Sequence, residues 1–246
     1  MELELLVFGL ITGFTSGFFG IGGGSILIPM LLVAGFAMKE AVAISIMQMV
    51  FSSIYGSFLN SKKIKGLFRD GIILGVGASV GGLFSGYFLP SIPDIYLQYL
   101  FIAVLIYTIY TLFKAPASQE IIQEDKNIFL LALIGFCVGI FAMSIGIGGS
   151  LMLLPILVQF LKYDLKVATA LGLFFVIFSS IGGFISTSLY GNMLYYEGSI
   201  IGIGSLIGVY FGIKIKEKTK STSYKKFVLL LNLFVLATMI YKTVEF

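Results

Sequence analysis

Residues 20–29 read GIGGGSILIP, and residues 146–155 read GIGGSLMLLP. Both lie inside long apolar stretches, 4–37 and 128–161, although glycine weakens a helix and proline removes one of its hydrogen bonds. Each stretch has 34 residues, whereas a helix needs about 20 residues to cross the hydrocarbon core of a bilayer. We therefore predict that each stretch is a broken helix, folded either as a re-entrant hairpin or as two full crossings.

The composition is typical of a chain embedded in lipid. Hydrophobic residues make up 58% of its 246 residues and charged residues 11%, while a soluble domain carries about 25% charged residues. We expect a multi-pass protein of the inner (plasma) membrane, surrounded by the lipid bilayer. No nucleic-acid partner is expected, because basic residues do not alternate with exposed aromatic residues as in a nucleic-acid groove. Six further apolar stretches are each predicted to cross once: 41–59, 71–89, 97–113, 167–189, 198–213 and 226–241.

The chain also repeats itself. The stretch AVAISIMQMVFSSIYG (41–56) is matched by ATALGLFFVIFSSIGG (168–183), and GIILGVGASVGGLF (71–84) by GSIIGIGSLIGVYF (198–211), both 127 residues later. The two glycine motifs lie 126 residues apart. A shared offset over three blocks indicates an internal duplication, which is common in transporters. The predicted units are a first repeat, a cytoplasmic connector and a second repeat, at 1–114, 115–127 and 128–246.

The distribution of lysines predicts that the two halves are inverted. Loop 61–69 is basic and its counterpart 188–196 is not, while 214–220 carries four lysines and its counterpart 90–94 none. Because basic loops stay in the cytoplasm, equivalent loops should lie on opposite sides of the membrane. The predicted fold is an all-α polytopic membrane protein of two inverted repeats, each a broken-helix or re-entrant hairpin plus three transmembrane helices.

Each break should present the N-terminus of a helix, whose free N–H groups and positive dipole end bind anions. Ser25 and Ser150 are predicted to cap these helices through their hydroxyl groups. The predicted site is asymmetric, because Ser45 and Gln48 have Gly172 and Phe175 as their counterparts. The predicted substrate-binding residues are Gly22, Gly23, Gly24, Ser25, Gly148, Gly149, Ser150, Ser45, Gln48, Ser52 and Ser179.

Other interpretations of these residues stay open. Glycines in membrane helices also serve close helix packing, and serines bond back to the preceding turn of their own helix. We find no Asp, Glu, Lys, Arg or His well inside any predicted crossing, so neither a metal nor another cofactor is expected. An intramembrane serine protease would need a histidine base, and the chain has no histidine. The sequence thus favours a small-anion permease over an enzyme, with a permease for a carboxylate, neutral molecule or metal ion as the alternative.

The segments GFFGIGGGSILIP (17–29) and SIGIGGSLMLLP (144–155), together with GVGASVGGLFSG (75–86) and GIGSLIGVYFG (202–212), resemble the TauE/SafE family of permeases. The resemblance covers essentially the whole chain. It implies transport of sulfite, thiosulfate, sulfoacetate or a related organosulfur or carboxylate anion. It specifies neither the anion, nor the direction of transport, nor the oligomeric state. The matching residues are Gly20, Gly22, Gly23, Gly24, Ser25 and Pro29 in the first motif, and Gly146, Gly148, Gly149, Ser150 and Pro155 in the second.

Overall fold

The computed structural model describes residues 2–64, 68–114, 127–163, 165–191, 193–219 and 221–244, and this part of the chain contains ten α-helices and no strand. A 3-10 turn, Leu89–Ser91, follows α4, and a π-helical turn, Ile156–Phe160, follows α7. The helices are α1 (Glu2–Phe19), α2 (Gly24–Val33), α3 (Met38–Ile64), α4 (Phe68–Phe88), α5 (Asp94–Lys114), α6 (Ile128–Ser144), α7 (Ser150–Pro155), α8 (Leu165–Tyr190), α9 (Tyr195–Lys218) and α10 (Ser221–Val244).

Seven of the described helices are long and apolar enough to cross a membrane, namely α1, α3, α4, α5, α8, α9 and α10. This confirms the prediction of an all-α polytopic membrane protein. The helices extend beyond the predicted apolar stretches, most clearly at the end of α9. Lys214, Lys216 and Lys218 were expected in a linker, but they belong to the last turns of α9.

Both long apolar stretches are broken at their glycines. The first helix ends at Phe19 and α2 begins at Gly24, while α6 ends at Ser144 and α7 begins at Ser150. The ten residues of α2 span only about 15 Å at 1.5 Å per residue. The hydrocarbon core is about 30 Å thick, so α2 is too short for a second crossing. Of the two predicted alternatives, its length fits the re-entrant hairpin.

The order of elements in α1–α5 returns in α6–α10. Each run contains a helix, a glycine break, a short helix and three long helices. The packing partners also correspond, since α1 lies against α9 and α6 against α4, while α3 lies against α9 and α8 against α4. The predicted connector lies almost entirely in 115–126, outside the described residues.

Glycines set the closest helix contacts and show the helix directions. Along α1, Gly9 and Gly17 lie against Ile201 and Val209 of α9, so contacts advance together along both helices. These two helices therefore run parallel. Three other pairs of helices are parallel by the same criterion. Their contacts are Gly77–Ala132 and Gly81–Phe136 between α4 and α6, Gly198–Met47 and Gly202–Phe51 between α9 and α3, and Gly71–Phe174 and Gly75–Phe178 between α4 and α8.

A polar contact joins two segments at the lysine-rich end of the bundle, where α4 begins. The hydroxyl of Tyr163, between the π-helical turn and α8, donates to the Asp70 carboxylate in the first turn of α4 at 2.5 Å. Burial and then the bond to Asp70 raise the pKa of Tyr163 above its ordinary value. The tyrosine therefore stays protonated and keeps donating to Asp70 at neutral pH.

Candidate functional site

The two helix breaks lie directly against each other. A Cβ atom on Gly24 would lie 2.1 Å from the carbonyl oxygen of Gly146, so only glycine leaves room for this approach. One on Gly148 would lie 3.4 Å from the carbonyl oxygen of Ile21 in the first break. The breaks share one backbone pattern, a positive φ at Gly20, Gly22 and Gly23 and, 126 residues later, at Gly146, Gly148 and Gly149.

The residues that begin the short helices correct one prediction. Gly23 and Gly149 occupy the N-cap positions in the left-handed conformation, with φ of 82° and 77°, and neither helix has a side-chain cap. Ser25 and Ser150, predicted to be the caps, already lie in the first turn, because a left-handed glycine occupies the N-cap position one or two residues earlier. The prediction of serine caps is therefore wrong. Their buried hydroxyl groups have no hydrogen-bond partner among the residues that the structure describes.

Five backbone N–H groups at the breaks have no acceptor in the described structure. In the described part of the chain, no acceptor is bonded to the N–H groups of Gly22, Gly23 and Gly24, nor to those of Gly149 and Ser150. Helix N-termini leave such donors free, and the helix dipole adds partial positive charge there. The junction of the breaks thus combines unbonded amides, unbonded hydroxyl groups and the positive end of α2.

The junction is enclosed by residues of α3 and α8. The enclosing residues of α8 lie 127 positions after those of α3 in the sequence. The hydroxyl of Ser45 donates to the carbonyl oxygen of Gly146 at 2.9 Å. Its counterpart Gly172 has no side chain, and a Cβ there would lie 3.2 Å from the carbonyl oxygen of Gly20. Each long helix therefore contacts the break of the other half, as the repeat offset suggests. Met49 and its counterpart Val176 both lie beside Gly22, where a Cβ atom would be 3.3 and 3.2 Å from their side chains.

Gln48 is the buried polar side chain at the N-terminus of α2. It is fully buried, and neither its amide nitrogen nor its amide oxygen has a partner in the described structure. A Cβ atom on Gly23 would lie 3.0 Å from both of these atoms, so the amide sits over the N-cap of α2. In the other half, Phe175 occupies the equivalent place, 2.4 Å from a Cβ on Gly149. A buried amide without partners is costly, which makes Gln48 a candidate for hydrogen bonding to a ligand.

The two remaining predicted serines, Ser52 and Ser179, differ in whether their hydroxyl groups reach a break. The Ser52 hydroxyl lies 3.5 Å both from the carbonyl oxygen of Gly22 in the first break and from that of Met49 in its own helix, at the limit of a hydrogen bond. Ser179 donates back to the carbonyl oxygen of Val176 in its own helix at 3.3 Å. Within the described residues, no hydrogen bond joins Ser179 to either break. The prediction that it lines the site gains no support from this geometry.

Comparison with known proteins identifies the family of this chain. The sequence profile described as Sulfite exporter TauE/SafE matches residues 5–239. The chain belongs to the TauE/SafE family. Three similar relatives are each named as a probable membrane transporter protein. One from Methanocaldococcus jannaschii is 29% identical over 231 residues, covering 87% of this chain and 86% of the relative. YunE and YdhB of Bacillus subtilis are 23% and 25% identical, each over 87% of this chain, and over 90% and 89% of their own lengths.

Sequence reasoning missed a threonine that supports the second break of this TauE/SafE protein. Pro155 has no N–H, so it cannot bond to the carbonyl oxygen of Leu151 one turn earlier. The Thr108 hydroxyl of α5 donates to that oxygen at 3.3 Å and replaces the missing bond. The sequence could have pointed to Thr108, because it is a polar residue inside the apolar stretch 97–113. Its acceptor, the carbonyl oxygen of Leu151, is known only from the packing of α5 on α7.

Replacing Thr108 by valine should destabilise the protein by about 1 kcal/mol, because it leaves a buried carbonyl oxygen without a donor. The measurement is the melting temperature of the purified variant in detergent. Thr111→Val is the control, since among the described residues the Thr111 hydroxyl bonds only within its own helix, to Tyr107 and Thr108. Equal melting temperatures for the two variants would contradict the role given to Thr108.

Lys216, expected in the linker after the predicted crossing 198–213, is buried within the helix bundle. It lies in the membrane-spanning helix α9, near its end, and is 1% exposed. Its ammonium group donates to the hydroxyl oxygen of Thr169 in α8 at 2.7 Å. The distribution of lysines between the two sides of the membrane does not predict that Lys216 is buried. Its burial results from the packing of α9 against its neighbours.

Among the described residues, no group of three or more histidine, cysteine or acidic side chains is placed to hold a metal ion.

Proposed function

We propose that this protein is a plasma-membrane permease for a small anion of the sulfur oxyanion or organosulfonate class, such as sulfite, thiosulfate or sulfoacetate. The anion would bind where the two glycine breaks meet. The observation that carries this proposal is Gln48, a fully buried amide without partners in the described structure that lies over the N-cap of α2.

The chemistry of the junction suits an anion better than a cation. Oxygen atoms of a sulfur oxyanion accept hydrogen bonds, and the free N–H groups of Gly23 and Gly24 and the amide nitrogen of Gln48 can supply them. The hydroxyl groups of Ser25 and Ser150 are further donors close by. In transporters, half-helix N-termini near the middle of the membrane hold anionic groups in this way.

We further propose that residues 1–114 and 128–246 are inverted repeats whose shared centre is this junction. The helix directions support the proposal. One cavity is lined by Lys39 and Leu194, at the starts of α3 and α9, and by Leu89 and Tyr190, at the ends of α4 and α8. These two pairs of helices therefore run in opposite directions. Since α1 runs parallel to α9, and α6 parallel to α4, the first helices of the two halves are opposed as inversion requires.

The same cavity offers a route from the end of the bundle that the lysine distribution predicts to be extracellular. It has a volume of about 470 Å³, and α3 contributes Lys39, Glu40 and Ala43 to its lining. We interpret this as an outer vestibule that leads toward a closed site, consistent with a carrier that exposes its site alternately.

Flux measurements in proteoliposomes test the proposed function. Purified protein should give saturable uptake of at least one of radiolabelled sulfite, thiosulfate or sulfoacetate, with none in empty liposomes. Cys137→Ala is the matched control variant, because Cys137 is exposed on α6 and should leave the flux unchanged. Uptake of nickel or of a neutral solute, without uptake of any of these anions, would refute the proposal.

A further inference from the structure

A second polar cluster, outside the junction of the breaks, surrounds the buried end of Lys216. Its ammonium nitrogen lies 2.7 Å from the Thr169 hydroxyl oxygen and 5.7 Å from the centre of the Tyr224 ring. Both Lys216 and Thr169 have additional interactions. The lysine is thus held in place rather than extended into solvent, although it belongs to the lysine-rich end of α9.

This cluster lies directly behind the first break. A Cβ atom on Gly20 would lie 2.5 Å from the carbonyl oxygen and 2.8 Å from the Cβ of Thr169. The hydroxyl of Tyr224 donates to the carbonyl oxygen of Phe19, the last residue of α1, at 2.9 Å. One residue, Thr169, therefore separates the ammonium group of Lys216 from the glycines of the break.

The equivalent positions of the other half are apolar. The residues 127 positions before Lys216, Thr169 and Tyr224 are Leu89, Val42 and Leu97. All three are buried, with 4%, 0% and 0% of their surfaces exposed. Val42 keeps the contact with the second break, since a Cβ on Gly146 would lie 3.1 Å from its Cα. Duplicated positions thus carry a cation and two hydroxyl groups behind one break, and only hydrocarbon behind the other.

We propose that Lys216 is a specificity-determining residue of the permeation path, on the lysine-rich side of the bound anion. This inference rests on the proposed function. When the anion leaves the break toward this side, one of its oxygen atoms replaces the Thr169 hydroxyl as acceptor for the ammonium group. A charged acceptor makes the stronger hydrogen bond with an ammonium donor, so the exchange favours anions over neutral solutes.

The proposal predicts that the two faces of the carrier differ in apparent affinity. On the lysine-rich side, the departing or arriving anion meets Lys216. On the other side, Leu89 and Val42 occupy the equivalent positions and offer no hydrogen bond, and Lys39, which lines the cavity there, lies 3.8 Å from the Asp94 carboxylate. The KM for the transported anion should therefore be lower on the lysine-rich face, and this difference should depend on the charge of Lys216.

The test compares initial rates of thiosulfate and sulfite uptake in inside-out and right-side-out membrane vesicles. Lys216→Met removes the charge and keeps the length of the side chain. It should raise KM on the lysine-rich face by about tenfold or more, the loss expected for one hydrogen bond to a charged group, with a much smaller change on the other face. Lys216→Arg keeps the cation and should restore a KM close to that of the unmodified protein. Lys214→Met, the same change at an exposed lysine of α9, is the matched control and should change neither KM.

The outcomes separate this inference from the proposed function. Because KM does not depend on the amount of folded protein, poor folding of a variant lowers the maximal rate without imitating the expected result. Unchanged KM values for Lys216→Met on both faces, beside normal anion flux in the unmodified protein, would overturn the role of Lys216 alone. Equal losses in Lys216→Met and Lys216→Arg would assign the lysine to packing and also overturn it. Absence of anion flux in the unmodified protein would overturn both proposals.

Discussion

Replacing Gln48 by glutamate is expected to abolish anion transport. The two side chains have nearly the same shape, but the carboxylate puts a negative charge over the N-cap of α2, where the anion is proposed to bind. Like charges brought together away from water cost several kcal/mol. In addition, the carboxylate can accept hydrogen bonds from the free N–H groups of Gly23 and Gly24, and so occupy the donors meant for the substrate. At about 1.4 kcal/mol for each factor of ten, we expect kcat/KM to fall more than about a hundredfold.

The measurement is uptake of the transported anion into proteoliposomes, with two comparison variants. Gln48→Met removes the hydrogen-bonding amide without adding charge, so its loss should be smaller than that of Gln48→Glu. Gln98→Glu makes the same change at another buried glutamine, on α5, whose amide oxygen is also without a partner in the described structure. If Gln98→Glu loses as much flux as Gln48→Glu, general damage from a buried charge explains both. Normal flux in Gln48→Glu would exclude anion binding beside Gly23.

The breaks could be located from sequence because glycine and proline rarely share an apolar helix without interrupting it. The sequence did not reveal which residue would cap the returning helix. Serine is a good N-cap when the preceding backbone is extended. Here Gly23 and Gly149 take up the left-handed conformation instead, with φ of 82° and 77°. Each serine then lies in the first turn of its helix rather than at the N-cap, and its hydroxyl is buried without a partner in the described structure.

The enclosure of the breaks by α3 and α8 was only partly predictable. The repeat offset singled out Ser45 and Gln48 as residues present in one half alone, and both contact a break in the structure. The pattern of polar residues could not tell which serines reach a break and which bond back only within their own helix. That difference separates Ser52 from Ser179, and it depends on helix rotation rather than on residue type.

The burial of Lys216 and the role of Thr108 lay beyond sequence reasoning for a common reason. A lysine near the end of a crossing is expected to extend toward water, and its burial here requires Thr169 and Tyr224 from two other helices. Likewise, Thr108 becomes important only because α5 passes beside the carbonyl oxygen that Pro155 leaves free. Both features are contacts between segments far apart in sequence, which hydropathy and spacing do not encode.

Replacing Gly13 by alanine is expected to prevent stable folding. A Cβ atom at this position would lie 2.0 Å from the carbonyl oxygen of Ser205 and 2.6 Å from its Cα. These are backbone atoms of α9, so no side-chain rotation can relieve the overlap, and α1 and α9 have to separate. The cost should reach about 3 kcal/mol or more, the upper range for overpacking. We expect a sharply lower melting temperature in detergent, or loss of the monodisperse protein.

The matched control for Gly13 is the same substitution at Gly56 of α3, which also faces α9. A Cβ atom on Gly56 would lie 3.4 Å from the Val209 side chain, an ordinary contact distance. Because alanine favours a helix by about 0.5–1 kcal/mol over glycine, Gly56→Ala should match or exceed the unmodified protein in stability. A melting temperature for Gly13→Ala equal to that for Gly56→Ala would contradict the close approach of α1 and α9. That approach fixes the first break relative to Lys216, since α1 carries the break on its C-terminal end and α9 carries the lysine.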